Sequence, residues 1–324
     1  MPLDLSLPNL RPDAPALRLG CVPLVDAAPL LVAEALGFFQ AVGLRAALAP
    51  ETSWAGLRDR LAFGALDGAH LLTPLALALG AGAGGIRADL AVGCGLSRNG
   101  NGIFLSWRAL ETGLRPGARL GIVHPFSAHH YLLRRWLAAQ GVEDAVPLAA
   151  PPPAMADLVA QGVIDGFCAG APWPAAAEAS RLGRVVAGTA ALWPDHPEKL
   201  LAFRGDVAEA RREAALAATA AILAAGAWLN APENREEAVA ILRRRAFPAL
   251  PDAVIASAFD GTHRMGFVPE ATAEGASRWI AEMREAGHLP PDIADAALLA
   301  PWARSLQPEA ARRLAPASHH GVTS

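Results

Sequence analysis

Apolar and polar positions alternate in short blocks that predict strand after helix after strand. Leu17 to Pro23 is a strand-length apolar run. Asp26 then offers an N-cap, and Pro29 a first-turn proline, for a helix reaching about Phe39. Gly43 to Ala49, Leu66 to Leu71 and Asp89 to Gly95 continue as strands. Between them, Ser53 caps a helix from Trp54 to Phe63, and Thr73 opens one rich in small residues. A second series starts after Pro116: a strand from Ala118 to Val123, a helix capped by Ser127 and ending near Ala139, then strands at Val146 to Ala149 and Val163 to Cys168 around a helix from Pro153 to Gln161. Repeated strand–helix–strand units with short connections imply parallel sheets joined by right-handed crossovers.

Beyond Lys199 the pattern turns mostly helical, with Val207 to Leu229 and Glu233 to Arg245 the longest stretches. Two α/β series, with crossings near Asn99 to Gly102 and again near Thr189 to Lys199, predict two lobes on a hinge. Lobe 1 is expected to take residues 1–101 and 200–324, with the C-terminal helices folded back over it, and lobe 2 residues 102–199. The helical region after Val207, which no pocket motif explains, is a candidate partner surface.

Composition narrows the function. The 324 residues are 53% hydrophobic and 18% charged, enough for a large core and against disorder. A net charge of −3 gives no basic footprint for direct nucleic-acid binding. Cys21, Cys94 and Cys168 are isolated in apolar runs, which fits buried thiols rather than a disulfide framework or a zinc site. Met1 to Leu17 carries four prolines and no apolar stretch long enough for an export signal, and no uninterrupted strongly apolar run of membrane-spanning length follows, so a cytoplasmic protein without a membrane partner is expected. Gly-x-Ser-x-Gly, His-x-x-x-His and Cys-x-x-Cys are absent, and no enzyme, metal or cofactor is expected.

Of the 28 basic side chains, 27 are arginine and the only lysine is Lys199, inside Trp193-Pro194-Asp195-His196-Pro197-Glu198-Lys199. Lysine is a compact point charge and arginine a planar fork, so a lone lysine suggests a place for a small monopositive head. Ser53 and Ser127 start helices whose free N–H groups favour anions. Trp54 and His129 stand in those first turns, and Ala169-Gly170 follows the strand that ends at Cys168. Asp26, Asp67 and Asp165 read as caps or turn residues.

Six segments in order resemble the nitrate/bicarbonate branch of the type II periplasmic-binding-protein superfamily: Asp26-Ala27-Ala28-Pro29-Leu30, Thr52-Ser53-Trp54, Asp67 to Pro74, Asn99-Gly100-Asn101-Gly102-Ile103, His124 to His129 and Asp165 to Cys168. Pro172-Trp173 and Trp193 to Lys199 extend the resemblance. It implies a two-lobe α/β fold with a hinge, and a nitrate pocket that carries over onto Trp54, Asn101, His129, Pro152, Ala169, Gly170 and Lys199, beside Ser53. Ala171 departs from the pattern, since relatives commonly carry glutamate there. The branch holds lipoprotein receptors of uptake transporters and cytosolic sensors of the NasS type. The latter bind nitrate or nitrite and, when empty, hold an RNA-binding antiterminator of the NasT type. Bicarbonate receptors of the branch place glutamate at the lysine position and use a metal. Nitrate has no proton, so the expected pocket is one of donors and at least one cation. The resemblance therefore implies a nitrate/nitrite sensor controlling a NasT-type antiterminator. A nitrate transport receptor, a bicarbonate or sulfonate binder and a thiamine-pyrimidine-type enzyme are the rivals.

Overall fold

A computed structural model describes residues 15–260 and 264–314. The first sheet contains β1 (Leu17–Cys21), β2 (Ala46–Pro50), β3 (Gly68–Leu72), β4 (Leu90–Asn99), β10 (Pro197–Arg204) and β11 (Met265–Phe267), in the order β11-β4-β10-β3-β1-β2. The second contains β5 (Asn101–Ser106), β6 (Arg119–Ile122), β7 (Val146–Ala149), β8 (Gly166–Gly170) and β9 (Gly183–Gly188), in the order β7-β6-β8-β5-β9. In each sheet the strands joined by helical crossovers are parallel: β1 with β2 and β3, and β6 with β7 and β8. The returning strands β10 and β5 run antiparallel to their neighbours. Every residue of β3 and β8 is buried, as strands covered by helices on both faces must be.

The chain passes between the lobes twice. The first crossing is a single residue, Gly100, between β4 and β5. It has φ 84°, a left-handed conformation that glycine adopts without cost, and the Met265 side chain fills the space where a Cβ would stand. The second runs from Thr189 to His196, between β9 and β10. Pro197 to Lys199, expected in lobe 2, hydrogen-bond within the first sheet and so belong to lobe 1. Strands β9, β10 and β11 went unread in the sequence. Pro194, Pro197 and the polar run between them resemble a loop, although proline is tolerated as the first residue of a strand.

The helices after β10 cover lobe 1. Arg212–Asn230 is long and apolar enough to cross a membrane by length and composition, but it lies mostly buried, packed on Ala28–Ala35, β4 and Gln307–Leu314. One C-terminal helix does more. Ala273–Glu285 touches both Thr73–Ala81 in lobe 1 and Ala128–Ala139 in lobe 2. Its Trp279 donates from Nε1 to the Pro197 carbonyl at 2.8 Å and lies 4.5 Å from the Trp193 ring on the second crossing. Across the rim, Glu282 pairs with Arg135 at 3.0 Å, and His288 hydrogen-bonds the Tyr131 hydroxyl at 2.8 Å.

Candidate functional site

Lys199 is 1% exposed, so it is not a lysine left over on the surface. Its Nζ donates to Glu198 Oε1 at 2.5 Å and lies 2.8 Å from Asp26 Oδ2. Neighbouring residues on a strand ordinarily point to opposite faces. Here Pro197 pairs with Arg98 and Lys199 with Ser97, so β10 holds one residue more than β4 at this place. That bulge lets both Glu198 and Lys199 reach the same space, a re-aiming typical of bulges beside functional sites. Thr73 fixes the bulged backbone by donating its hydroxyl to the Glu198 carbonyl at 3.1 Å.

Lobe 1 supplies the rest of one wall. Val25–Ala27 is a 3-10 turn in which Asp26 caps nothing, correcting its reading as an N-cap. Its carboxylate is buried instead, with Oδ1 3.1 Å from His70 Nε2 and Oδ2 against Lys199. Trp54 stands at the start of its helix because Ser53 caps that helix, accepting from the Gly56 N–H at 3.1 Å. The indole meets the His70 ring edge-on at 5.1 Å and lies 5.5 Å from Lys199 Nζ.

Lobe 2 faces it with Asn101, His129 and Gly170. Asn101 donates from Nδ2 to Glu198 Oε2 at 2.8 Å, a bond that joins the lobes. Register places Asn101 opposite Gly170 on β8. His129 sits in the first turn of Ala128–Ala139, whose cap Ser127 accepts from the His130 N–H. Its Nδ1 is 3.8 Å from Glu198 Oε1. A Cβ built on Gly170 would stand 3.5 Å from Asn101 Oδ1, 3.6 Å from Asp26 Oδ2 and 3.7 Å from His129 Nε2, so groups of both lobes converge on that point. His196 completes the far side, with Nδ1 3.4 Å from Glu198 Oε2 and Nε2 hydrogen-bonded to the Thr189 hydroxyl at 2.9 Å.

Burial would lower the Lys199 pKa, but the two carboxylates override it and raise it. Burial would likewise raise that of Asp26, but Lys199 and His70 hold it well below the usual carboxylate range. Burial pushes His129 down to about 4 against the pull of Glu198, and burial with Lys199 pushes His196 down to about 3. Near neutral pH these two imidazoles are uncharged. Several polar atoms are nevertheless buried without a hydrogen-bond partner among the described residues: Trp54 Nε1, Asn101 Oδ1 and both ring nitrogens of His129. The Asp26 oxygens are also unpaired by hydrogen-bond geometry, so their contact with Lys199 is an ion pair without good alignment. Unpaired buried polar atoms are costly, and a cluster of them around one point marks a place built to be filled.

Five of the expected residues therefore meet: Trp54, Asn101, His129, Gly170 and Lys199. Ser53 Oγ accepts from its own helix and Pro152 is buried where a 3-10 turn begins; the Ala169 methyl packs in the apolar core, and its backbone, the part expected to line the wall, pairs with Gly102 next to Asn101 and Gly170. The expectation of a pocket with donors and a cation but no acceptors needs correction, since Asp26 and Glu198 both enter it. Glu198, His70 and His196 were not among the expected site residues, although His70 lies in the segment Asp67 to Pro74 and the other two in Trp193 to Lys199, both of which carry the resemblance.

The profile of the NMT1-like family matches residues 11–243. Among similar proteins, the nitrate/nitrite binding protein NrtA of Synechocystis is 31% identical over 79% of this chain and 62% of its own length. The bicarbonate transport ATP-binding protein CmpC of Synechocystis is 38% identical over 71% of this chain and 38% of its own length. The chain thus spans from about a third to three fifths of the curated relatives it matches, the nitrate import ATP-binding protein NrtC being matched over 36% of its length. The crystal structure of the periplasmic nitrate-binding protein NrtA from Synechocystis superposes with a TM-score of 0.85 at 26% identity, over 93% of this chain and 89% of that one. The alkanesulfonate-binding protein SsuA from Xanthomonas axonopodis shares the fold, with a TM-score of 0.69 at 21% identity over 88% of this chain and 98% of that one. The chain belongs to the NMT1-like family, with the two-lobe type II periplasmic-binding-protein fold, and is similar to the nitrate/nitrite binding protein NrtA and to the bicarbonate-associated CmpC.

Proposed function

We propose that this protein binds nitrate or nitrite between its two lobes and closes on it. One observation carries the reading: the buried Lys199 ammonium, 5.5 Å from the Trp54 ring and 2.8 Å from Asp26 Oδ2, belongs to the same cluster as the unpaired Trp54 Nε1 and as His129 Nε2, which faces the space beside Gly170. Lobe 1 provides the ammonium and the indole, and lobe 2 provides the imidazole, while the Asn101 amide is spent on Glu198. An anion seated there touches both halves, so it binds the closed form better than the open one, which is the requirement for a ligand-driven hinge.

The biological role proposed for this closure is that of a cytoplasmic nitrate/nitrite sensor controlling a NasT-type antiterminator. The antiterminator would prefer the open form, so that anion binding releases it by linkage. Similarity to NrtA supports a second role, the substrate-binding component of a nitrate transporter. Calorimetric titration with nitrate, nitrite, bicarbonate and taurine tests the ligand, and heat from neither nitrogen oxyanion rejects it. Capture of a NasT-type protein by the empty form and its release by nitrate tests the role. Nitrate binding without such capture leaves the transport role.

A further inference from the structure

The groups around the site are not those of a simple anion pocket. Lys199 is flanked by Asp26 and Glu198, and Asp26 also meets His70. Asp26 Oδ2 stands only 3.6 Å from where a Cβ on Gly170 would be. A monoanion seated beside Gly170 brings a further negative charge into a buried site, where uncompensated charge is most unfavourable.

The geometry of His129 resolves this. Its Nδ1 points toward Glu198 Oε1 at 3.8 Å, and its Nε2 faces the space beside Gly170, 3.7 Å from where a Cβ would be. A neutral imidazole has one N–H and one lone pair. Between a carboxylate and nitrate, which only accept, that lone pair must face an acceptor whichever tautomer forms. An imidazolium has an N–H on each side and satisfies both. Neither ring nitrogen has another hydrogen-bond partner among the described residues, so nothing competes for these positions.

We infer, resting on the reading that nitrate or nitrite binds here, that a proton-free monoanion enters this site together with one proton, and that His129 takes that proton. The reaction balances as anion plus H⁺ plus empty site giving a complex whose net charge is that of the empty site. The groups facing His129 bear on it from each side. Glu198 and Asp26 favour its charge, and Lys199 and His196 oppose it. Burial holds the empty-site pKa down at about 4, and a contacting anion raises it, so uptake is greatest in mildly acidic solution and fades as the pH rises. Bicarbonate differs in kind. Its own O–H can donate to a neutral His129, and it needs no added proton.

Titrating the whole protein with sodium nitrate at pH 5.5 in buffers of different ionisation enthalpy counts the protons directly. The expected count is a clearly non-zero uptake of up to one proton per nitrate, with affinity falling as the pH rises, by at most about tenfold per pH unit. His129→Gln keeps a donor toward the anion but cannot titrate. Its nitrate binding should be weaker, independent of pH in mildly acidic solution, and free of proton exchange. Nitrate binding to the wild type without proton uptake overturns the inference and leaves the proposed function standing. Uptake that persists in His129→Gln overturns the assignment to His129. Absence of nitrate and nitrite binding, with bicarbonate bound and no proton taken up, overturns both.

Discussion

Replacing Lys199 by methionine keeps most of the side chain's volume and removes its charge. Asp26 and Glu198 then remain buried, 2.8 and 2.5 Å from where the ammonium stood, with no cation between them. Leaving a buried charge without its partner costs about 3–5 kcal/mol. The carboxyl groups have a way out, since either can take up a proton. Protonating a carboxyl of ordinary pKa near 4 at pH 7 costs about 4 kcal/mol at roughly 1.4 kcal/mol per unit, which caps the loss at the same size. Lys199→Met should therefore lower folding stability by about 4 kcal/mol at pH 7, and by less at pH 5, where protonation is easier. Denaturant titration at the two pH values measures this. Asp26→Asn in the Lys199→Met background should recover a large part of the loss, because it removes one of the stranded charges. Nitrate affinity should fall by more than about 100-fold in Lys199→Met, the equivalent of about 3 kcal/mol. A variant with unchanged stability, or with nitrate affinity within a few-fold of wild type, would refute the reasoning.

Gly170→Ala introduces a Cβ at ordinary contact distance from its neighbours, so the fold should hold while the anion's space is filled; calorimetry should show nitrate affinity down at least about tenfold, with little change in melting temperature. His129 and His196, buried and held near 4 and 3, make the native state harder to protonate than the unfolded chain. Their contribution is full above about pH 6.5 and is lost as pH falls toward 4, by about 3 kcal/mol for His129 alone; denaturant midpoints that stay flat from pH 7 to 4.5 would contradict this. Tyr131→Phe removes the hydroxyl that meets His288 across the rim, and Arg135→Ala removes the partner of Glu282. Each should reduce nitrate affinity only a few-fold, since partly exposed contacts are worth about 1 kcal/mol or less, and small-angle scattering of the nitrate-bound protein should show a larger open fraction for the double variant.

The site was legible where a residue type was unusual or its position was fixed by local rules. Lys199 is the only lysine in the sequence, and Trp54 and His129 stand in helix first turns announced by the serine caps. Asp26 was misread because an aspartate before a helix usually caps it, and nothing local shows that this carboxylate turns inward to Lys199 and His70. Glu198 was hidden by the alternation rule itself. Without knowledge of the bulge between Pro197 and Lys199, a residue beside a buried lysine belongs on the other face. The two-lobe α/β plan followed from the repeated strand–helix periodicity of the first half. The insertion of β10 between β3 and β4 did not, because an antiparallel return after a long excursion leaves no periodic trace. The long Arg212–Asn230 helix, in the region expected to offer a partner surface, is core of lobe 1.

The most direct measurement is a crystal structure of the protein grown with nitrate. The anion should lie beside Gly170, within hydrogen-bond distance of Trp54 Nε1, Lys199 Nζ and His129 Nε2, with both lobes in contact with it. A closed protein with that space occupied by water alone at saturating nitrate, or nitrate bound elsewhere, would contradict it.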